Sequence, residues 1–576
     1  MSEQPGVASW PGDPFGGQAE DATEGPAVWP FDPFDQHVVL PAPTAPVPLR
    51  EGPGPRRDGA KADLAFLARG GVLNFGSTII SAILGFALVT IITRGLGVAL
   101  SGVFFEAIGL FLIISNTAEF GADAGLLRLI PRYRALHRTH DVRTAFHVGV
   151  WPALLGGVGL GAAMYAFAPQ LASLFFRTNH VADPRAITLI RVLAPFVPIS
   201  GISTILIAAS RGFGAMIPTV SIENIGKPLL RTIAALAVVV LGLHATALGL
   251  GWGVPIVLGL IAIVGWNLQF LGRAERRDRY DPHDRRLRRH LAAEFWRFSL
   301  PRGLVGTLST TQLWLDTLLV GGMVGTQAAA VYTASSRYVG VSIFVISAMN
   351  IVIAPQISAL LSLKESRRAE NVYHTATEWI ILTSWPPSFM LATFAPLLLS
   401  VFGKQYVAGQ TVLMILSLGV LFFLSTGPLI SVLVMGGKSG WSLFNNIVSL
   451  GANIGLNLLL IPRMGINGAA LAWALTGVIG QGTALVEVKV FLRLSPYHWL
   501  AFLAGGASAV IFGLGGLLFR VVFGPTAVGF LVYIVSASAV YALFLWRFRS
   551  AFKLGELAKA LRSAGRGERR ATLQPD

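Results

Sequence analysis

The amino-acid sequence predicts an all-α polytopic membrane protein of about fourteen transmembrane helices, and three observations predict it. Apolar residues make up 53% and charged residues 13% of the 576, where an average soluble domain is about 25% charged. The mean hydropathy is +0.64, more than the interior of a water-soluble fold could absorb. The apolar residues come in runs of about 20, the length of helix that crosses a hydrocarbon layer about 30 Å thick. Lipid satisfies no open backbone group, so such runs must be helical. Barrel strands would give much shorter alternating segments.

Residues 1–62 differ from the rest. They contain 12 of the 32 prolines, and residues 1–49 carry seven acids with no lysine or arginine. That composition buries no core and predicts a disordered tail. Within it Trp10-Pro11-Gly12-Asp13-Pro14-Phe15 recurs as Trp29-Pro30-Phe31-Asp32-Pro33-Phe34. Two copies of an aromatic–proline–acid motif suit docking of a cytoplasmic partner with raised avidity; low-complexity drift explains them equally well. The N-terminus has no basic region followed by an apolar core, so the first hydrophobic helix is expected to act as an uncleaved signal anchor.

The span cores fall at 72–93, 103–120, 145–168, 189–210, 219–243, 247–271, 299–323, 331–361, 376–402, 411–435, 441–461, 466–486, 497–519 and 526–546. The fifth is the most polar, with Glu223, Lys227 and Arg231. Basic residues test the count, because short cytoplasmic loops retain positive charge. With both termini cytoplasmic, alternation leaves seven basic residues outside: Arg94, Arg177, Arg185, Arg191, Lys404, Arg463 and Arg520. Lys227, Arg231 and Arg337 lie within spans, and the other 35 of the 45 fall inside. The heaviest block runs from Arg273 to Arg297, and a second from Arg547 to Arg570.

The chain also repeats itself weakly. At an offset of 228, Arg69 falls on Arg297, Gly97 on Gly325, Gly102 on Ala330 and Phe104 on Tyr332. Near an offset of 226, Ser210–Gly214 matches Gly436–Gly440. Six helices per repeat make the repeats parallel, related by an axis along the membrane normal around a central cavity. The expected organisation is a tail 1–62, a six-helix lobe 63–271, an Arg-rich linker 272–298, a second lobe 299–491, two added helices in 492–548 and a basic cytoplasmic tail 549–576.

Composition excludes several functions. There are no cysteines, hence no disulfides, thiolate metal sites or cysteine nucleophiles. The net charge of +16 is read as attraction to anionic membrane lipid rather than to nucleic acid. No metal-binding spacing occurs, and no cofactor is expected. Gly437-Lys438-Ser439 lacks the earlier glycine of a phosphate-cradling loop, since Val432 stands there. An enzyme acting on membrane glycans needs acids or histidines gathered in a sizeable loop, and the one long loop is arginine-rich, so no enzymatic activity is expected.

Residues Asn445–Ile479, with Asn457-Leu-Leu-Leu-Ile-Pro462 and Gly465-Ile-Asn-Gly-Ala-Ala470, resemble the C-terminal signature of bacterial polysaccharide flippases. These belong to the multidrug/oligosaccharidyl-lipid/polysaccharide exporter superfamily. Gly71–Arg94, Leu96-Gly97 and Gly102-Val-Phe-Phe are similar to the family's first hairpin; Leu315-Asp316, Tyr332 and Arg337 resemble its seventh and eighth helices. The resemblance spans residues 64–548. It implies an inner-membrane protein that moves an undecaprenyl-diphosphate-linked oligosaccharide to the outer leaflet by alternating access, for cell-surface polysaccharide synthesis. The N-terminal tail would then meet polysaccharide-synthesis proteins. A multidrug or cation antiporter of the same superfamily is the alternative. Lipid II flippases of that superfamily place arginines and an acid in their first helix, whereas Ser81–Val89 is uncharged, which argues against a peptidoglycan precursor.

Ionisable residues inside spans are costly and mark functional sites by default. Asn116, Glu119 and Asp123 share one helical face, as do Ser309, Gln312 and Asp316, and Asn446, Asn453 and Asn457. A cavity for a diphosphate-linked glycan needs cations for the anion and amides for the sugars. Arg337 and Arg231 are therefore the expected anion-binding residues, with Gln312, Asn446, Asn453 and Asn457 as substrate contacts. Asp316 and Glu119 are the expected ion-coupling acids. The same polar residues could instead join helices to one another. Glu223 and Lys227 are spaced to pair, and Gly157-x-x-x-Gly161 predicts close helix packing.

Overall fold

A computed structural model describes residues 57–555, except 137, 179–180, 276–284 and 438. The predicted disordered tail up to residue 56, the Trp-Pro repeats, the centre of the arginine-rich linker and the basic tail from 556 lie outside the described residues.

The chain is helical almost throughout. The first half runs α1 (Arg57–Gly95), α2 (Gly97–Ala118), α3 (Ala122–Ala135), α4 (Thr139–Ala166) and α5 (Ala168–Phe175). A short antiparallel hairpin follows, β1 (Arg177–Thr178) with β2 (Val181–Ala182). Then come α6 (Pro184–Leu193), α7 (Phe196–Gly212), a π-helical stretch Thr219–Gly226 leading into α8 (Lys227–Val240), and α9 (Ala245–Glu275). The second half holds α10 (Arg285–Met323), α11 (Thr326–Ser362), α12 (Ser366–Thr393), α13 (Ala395–Ser400), α14 (Gln410–Ser425), α15 (Leu429–Met435), α16 (Ser439–Met464) and α17 (Ile466–Glu487). It ends with α18 (Trp499–Ser508), α19 (Gly515–Phe523) and α20 (Ala527–Arg547).

Helix is found at every predicted span. Among the described residues nine helical stretches are long and apolar enough to cross a membrane, or ten if the bent pair α6–α7 is one span. The expected fourteen is not reached on those two criteria, for physical reasons. Glu223, Lys227 and Arg231 charge the fifth span; Gln312 and Asp316 dilute the seventh; Glu378 and the pair Pro386-Pro387 dilute the ninth, whose helix breaks at Phe394. The 44° bend between α6 and α7 falls at Ala194-Pro195, where proline supplies no amide hydrogen to continue the ladder.

Burial is inverted relative to a soluble protein. On α20 the inward face is Gly529, Tyr533, Ala537 and Tyr541, while Val528, Leu531, Val535 and Leu543 are exposed. Small and polar residues inside with large aliphatics outside is the pattern of a helix bathed in lipid. The protein is an all-α polytopic membrane protein.

One element was hidden in a loop. The basic stretch after the second span forms α3, whose Leu126, Leu129, Ile130 and Tyr133 are buried while Arg128, Arg132 and Arg134 are exposed. Likewise α10 starts inside the expected linker and buries Leu291, Phe295 and Ser299 at four-residue spacing.

Close backbone approach organises the centre. A Cβ at Gly102 of α2 would collide with the Thr326 carbonyl oxygen at the start of α11. Gly121, at φ 76°, abuts Ser299 and Gly303 of α10. Such glycines let helix backbones meet directly. The predicted packing of Gly157 and Gly161 is present: a Cβ there would lie 3.0 Å from Pro198 Cα and 2.8 Å from the Ala194 carbonyl oxygen.

Candidate functional site

The polar face of α10 meets α11 and α16 around one carboxyl group. Asp316, 2% exposed, accepts at Oδ1 from Asn453 Nδ2 at 3.0 Å and Asn457 Nδ2 at 2.7 Å. Its Oδ2 accepts from the Tyr332 hydroxyl at 3.0 Å. Asn453 and Asn457 come from successive turns of α16, so their spacing delivers both amides to one oxygen. A buried carboxyl group is tolerable only when its acceptors are satisfied, and here three donors converge on it. Thr317 and Thr333 join α10 to α11 alongside, at 3.2 Å.

Arg337 lies one and a half turns beyond Tyr332 on α11 and opens into a pocket of about 170 Å³. The pocket is lined by Trp314, Asp316, Tyr332, Ser336 and Trp473 among others. The Arg337 guanidinium stacks on the Trp314 ring, 4.9 Å from its centroid, and makes no ion pair among the described residues. The aromatic face steadies the cation without neutralising it, leaving the guanidinium fork available to an anion.

Gln312 and Asn446 do not join this group. With Ser309 they line a separate cavity of about 360 Å³ bounded by α10, α14, α15, α16 and α17. The asparagine face of α16 is thus divided, Asn453 and Asn457 serving Asp316 and Asn446 serving the larger cavity.

Arg231 lies elsewhere, on α8, with its guanidinium 3.8 Å above the Trp252 ring of α9; its Nε is buried without a partner among the described residues. One turn earlier Lys227 pairs with Glu223 at 2.6 Å, as spacing predicted, and donates to Ser203 Oγ at 3.1 Å. Glu119, 6% exposed, stands at the end of α2 within electrostatic reach of Asp123, Glu223 and Lys227. It is therefore part of a charged group in the first half and not of the Asp316 network.

Sequence reasoning missed the tryptophans beneath both arginines. Trp314 gave a usable signal, since it lies mid-span where an interfacial anchor has no role. Glu106 of α2, near the start of its span, also drew no assignment from the sequence. It is fully buried against Gly321 of α10, and neither oxygen has a partner among the described residues.

The fold is similar to an inward closed conformation of the lipid II flippase MurJ, with a TM-score of 0.64 at 14% identity, over 83% of this chain and 99% of that one. It is also similar to an inward-facing conformation of a multidrug resistance MATE family transporter of the MOP superfamily, with a TM-score of 0.60 at 14% identity, over 73% and 98%. At these identities the two likenesses are of fold. No curated protein sequence matches the chain. The family model of the lipid II flippase MurJ matches residues 120–537, from the end of α2 into α20 and across Asp316, Arg337 and the α16 asparagines. The chain belongs to the lipid II flippase MurJ family.

Proposed function

We propose that this protein flips an undecaprenyl-diphosphate-linked oligosaccharide from the inner to the outer leaflet of the bacterial inner membrane by alternating access. Family membership supports a flippase of lipid-linked substrates. The observation that carries the reading to a diphosphate is Arg337, a cation held on Trp314 and facing a pocket within the bundle. A guanidinium within a membrane-spanning helix is retained only at a cost, and a diphosphate is the ligand that would use it bidentately. Arg231 on Trp252 is the second anion-binding candidate, and the Asp316 network, with Glu119, holds the candidate coupling acids.

The matched family is named for lipid II. The match begins at residue 120, beyond Ser81–Val89, whose lack of charge favours a glycan other than the peptidoglycan precursor. Cytoplasmic termini, the two-lobe repeat and partners of the N-terminal tail belong to the same proposal. The likeness in fold to the MATE transporter raises a cation antiporter as the second reading. A site for a cationic ligand would have no use for the guanidinium that Arg337 presents in the same pocket as Asp316.

Reconstitution tests the reading. Proteoliposomes containing the full chain should move a fluorescent undecaprenyl-diphosphate glycan between leaflets, and Arg337→Ala should abolish the movement. Cation efflux with no movement of diphosphate lipid would overturn it in favour of the antiporter.

A further inference from the structure

The 360 Å³ cavity differs in chemistry from the Arg337 pocket. No charged side chain among the described residues lines it. One side is polar, with Ser309 and Gln312 of α10, Asn445 and Asn446 of α16 and Thr476 of α17, and the other is apolar, with Val305, Phe423 and Ile430. Two of these groups are unused by the protein. Asn445 Oδ1 and Thr476 Oγ1 have no hydrogen-bond partner among the described residues and are themselves shut off from water, their residues being 4% and 2% exposed, so a ligand meets them on a small rotation of either side chain. Buried polar atoms left unpaired are rare in folded proteins and ask for an explanation.

The orientations of the lining amides are fixed from behind. Asn445 Nδ2 donates to Glu487 Oε2 at 2.7 Å, which leaves Oδ1 as the amide's remaining acceptor. Gln481, also on the wall, accepts from Thr426 through Oε1 at 3.3 Å and keeps its amide hydrogens as donors. Asn446 is held by the Ser442 carbonyl oxygen at 2.9 Å. The result is a mixed set of oriented donors and acceptors, without net charge, opposite the apolar Val305, Phe423 and Ile430.

Ligand classes can be sorted against that wall. An anion would find no cation, an organic cation no carboxylate, and a hydrocarbon would strand the polar atoms. A pyranose matches, because each hydroxyl both donates and accepts and its C–H face is apolar. The volume falls within the range of about 300–1,000 Å³ typical of small-ligand sites. Gln312 and Asp316 are four residues apart, about 6 Å along α10, so one molecule can engage this cavity and the Arg337 pocket together.

We infer that the cavity is a saccharide subsite for an uncharged sugar, such as an N-acetylated hexosamine, of the lipid-linked glycan. This rests on the flippase reading. It separates recognition of the sugar from recognition of the diphosphate and assigns substrate selectivity to the α10–α16–α17 wall.

Binding to the full-length protein in lipid nanodiscs tests it, with three probes: undecaprenyl diphosphate, the same lipid bearing N-acetylglucosamine, and the same lipid bearing glucuronate. The expected result is a preference of about tenfold for the N-acetylglucosamine lipid over the bare lipid, and none for the glucuronate lipid. Gly477→Leu should remove the preference, because a side chain there projects into open space within the cavity. Thr476→Val removes only the unpartnered hydroxyl and should weaken the preference without lowering the melting temperature. Equal wild-type affinity for bare and neutral-sugar lipids, or a full preference retained in Gly477→Leu, would overturn the subsite while leaving the flippase reading in place. A glucuronate lipid bound as well as the neutral one would overturn the uncharged-sugar assignment. Binding of none of the three lipids would overturn both.

Discussion

Asn457 of α16 donates its side-chain amide to Asp316 of α10 across 2.7 Å, on the same oxygen that Asn453 reaches at 3.0 Å. With Tyr332 on the other oxygen, three helices are tied through one buried acid. Tyr332→Phe removes one of the three bonds and should cost about 1–3 kcal/mol, read as a lower melting temperature of the purified protein. Asp316→Asn keeps the shape but cannot carry a charge. It should leave diphosphate-lipid binding intact while removing the dependence of transport on an ion gradient, measured by imposing sodium and proton gradients on proteoliposomes.

Arg337 makes its contribution as a fork and not merely as a charge. Arg337→Ala should weaken diphosphate-lipid binding by about 1.5–3 kcal/mol, roughly 10- to 100-fold. Arg337→Lys should fall between, since an ammonium cannot bond bidentately. Equal binding by the Lys variant and the wild type would mean that position and charge alone suffice.

Arg231 is held by Trp252. Trp252→Leu keeps an apolar side chain but removes the ring, and the lost cation–π contact should cost about 0.5–2 kcal/mol. Thermal unfolding of Trp252→Leu, Arg231→Met and the double variant would report the coupling directly. Additive effects would show that the 3.8 Å stack contributes nothing of its own.

Gly102 allows α2 to touch the first turn of α11. Gly102→Val cannot keep that contact, because even a Cβ would collide with the Thr326 carbonyl oxygen. The bundle should then spend more time open at this end. The chain has no cysteine, so single cysteines near Thr178 and Thr326, now joined at 3.0 Å, would report opening as faster labelling, alongside reduced transport.

Outside the membrane-spanning segments, Asp183 caps α6 by accepting from the Arg185 amide at 2.9 Å and pairs with the Arg185 side chain at 2.7 Å. Burial pushes its carboxyl up, but the hydrogen bonds and charge of Arg185 outweigh this and hold it below the usual carboxylate range. The stabilisation is therefore complete above the unfolded carboxylate value of about 4 and lost as pH falls through the folded value. Asp183→Ala should cost about 1 kcal/mol at neutral pH and flatten the acid limb of a melting-temperature profile measured downward from about pH 5.

Much of this architecture was legible before any coordinates. Span positions follow from apolar runs, and the Glu223–Lys227 pair from a four-residue step that the structure closes at 2.6 Å. Asp316, Asn453 and Asn457 could be singled out because a polar residue in a span needs a reason to be there. Which of them meet could not be read, because shared faces of one helix say nothing about its neighbours. Asn446 and Asn453 lie two turns apart on α16, yet Asn446 lines the 360 Å³ cavity while Asn453 is spent on Asp316. Arg231 and Arg337 look alike in sequence, and neither showed that its guanidinium rests on a tryptophan of the adjoining helix, Trp252 and Trp314 respectively. The amphipathic period of α3 was present in Leu126, Leu129, Ile130 and Tyr133, but its arginines made the segment read as a loop.

The most direct test is made in the cell, by depleting the protein and measuring which undecaprenyl-linked glycan accumulates and on which leaflet. The account predicts a build-up of one complete glycan unit on the cytoplasmic leaflet, relieved by the wild-type gene and not by Arg337→Ala. Lipid-linked pools unchanged in amount and sidedness after depletion would contradict it.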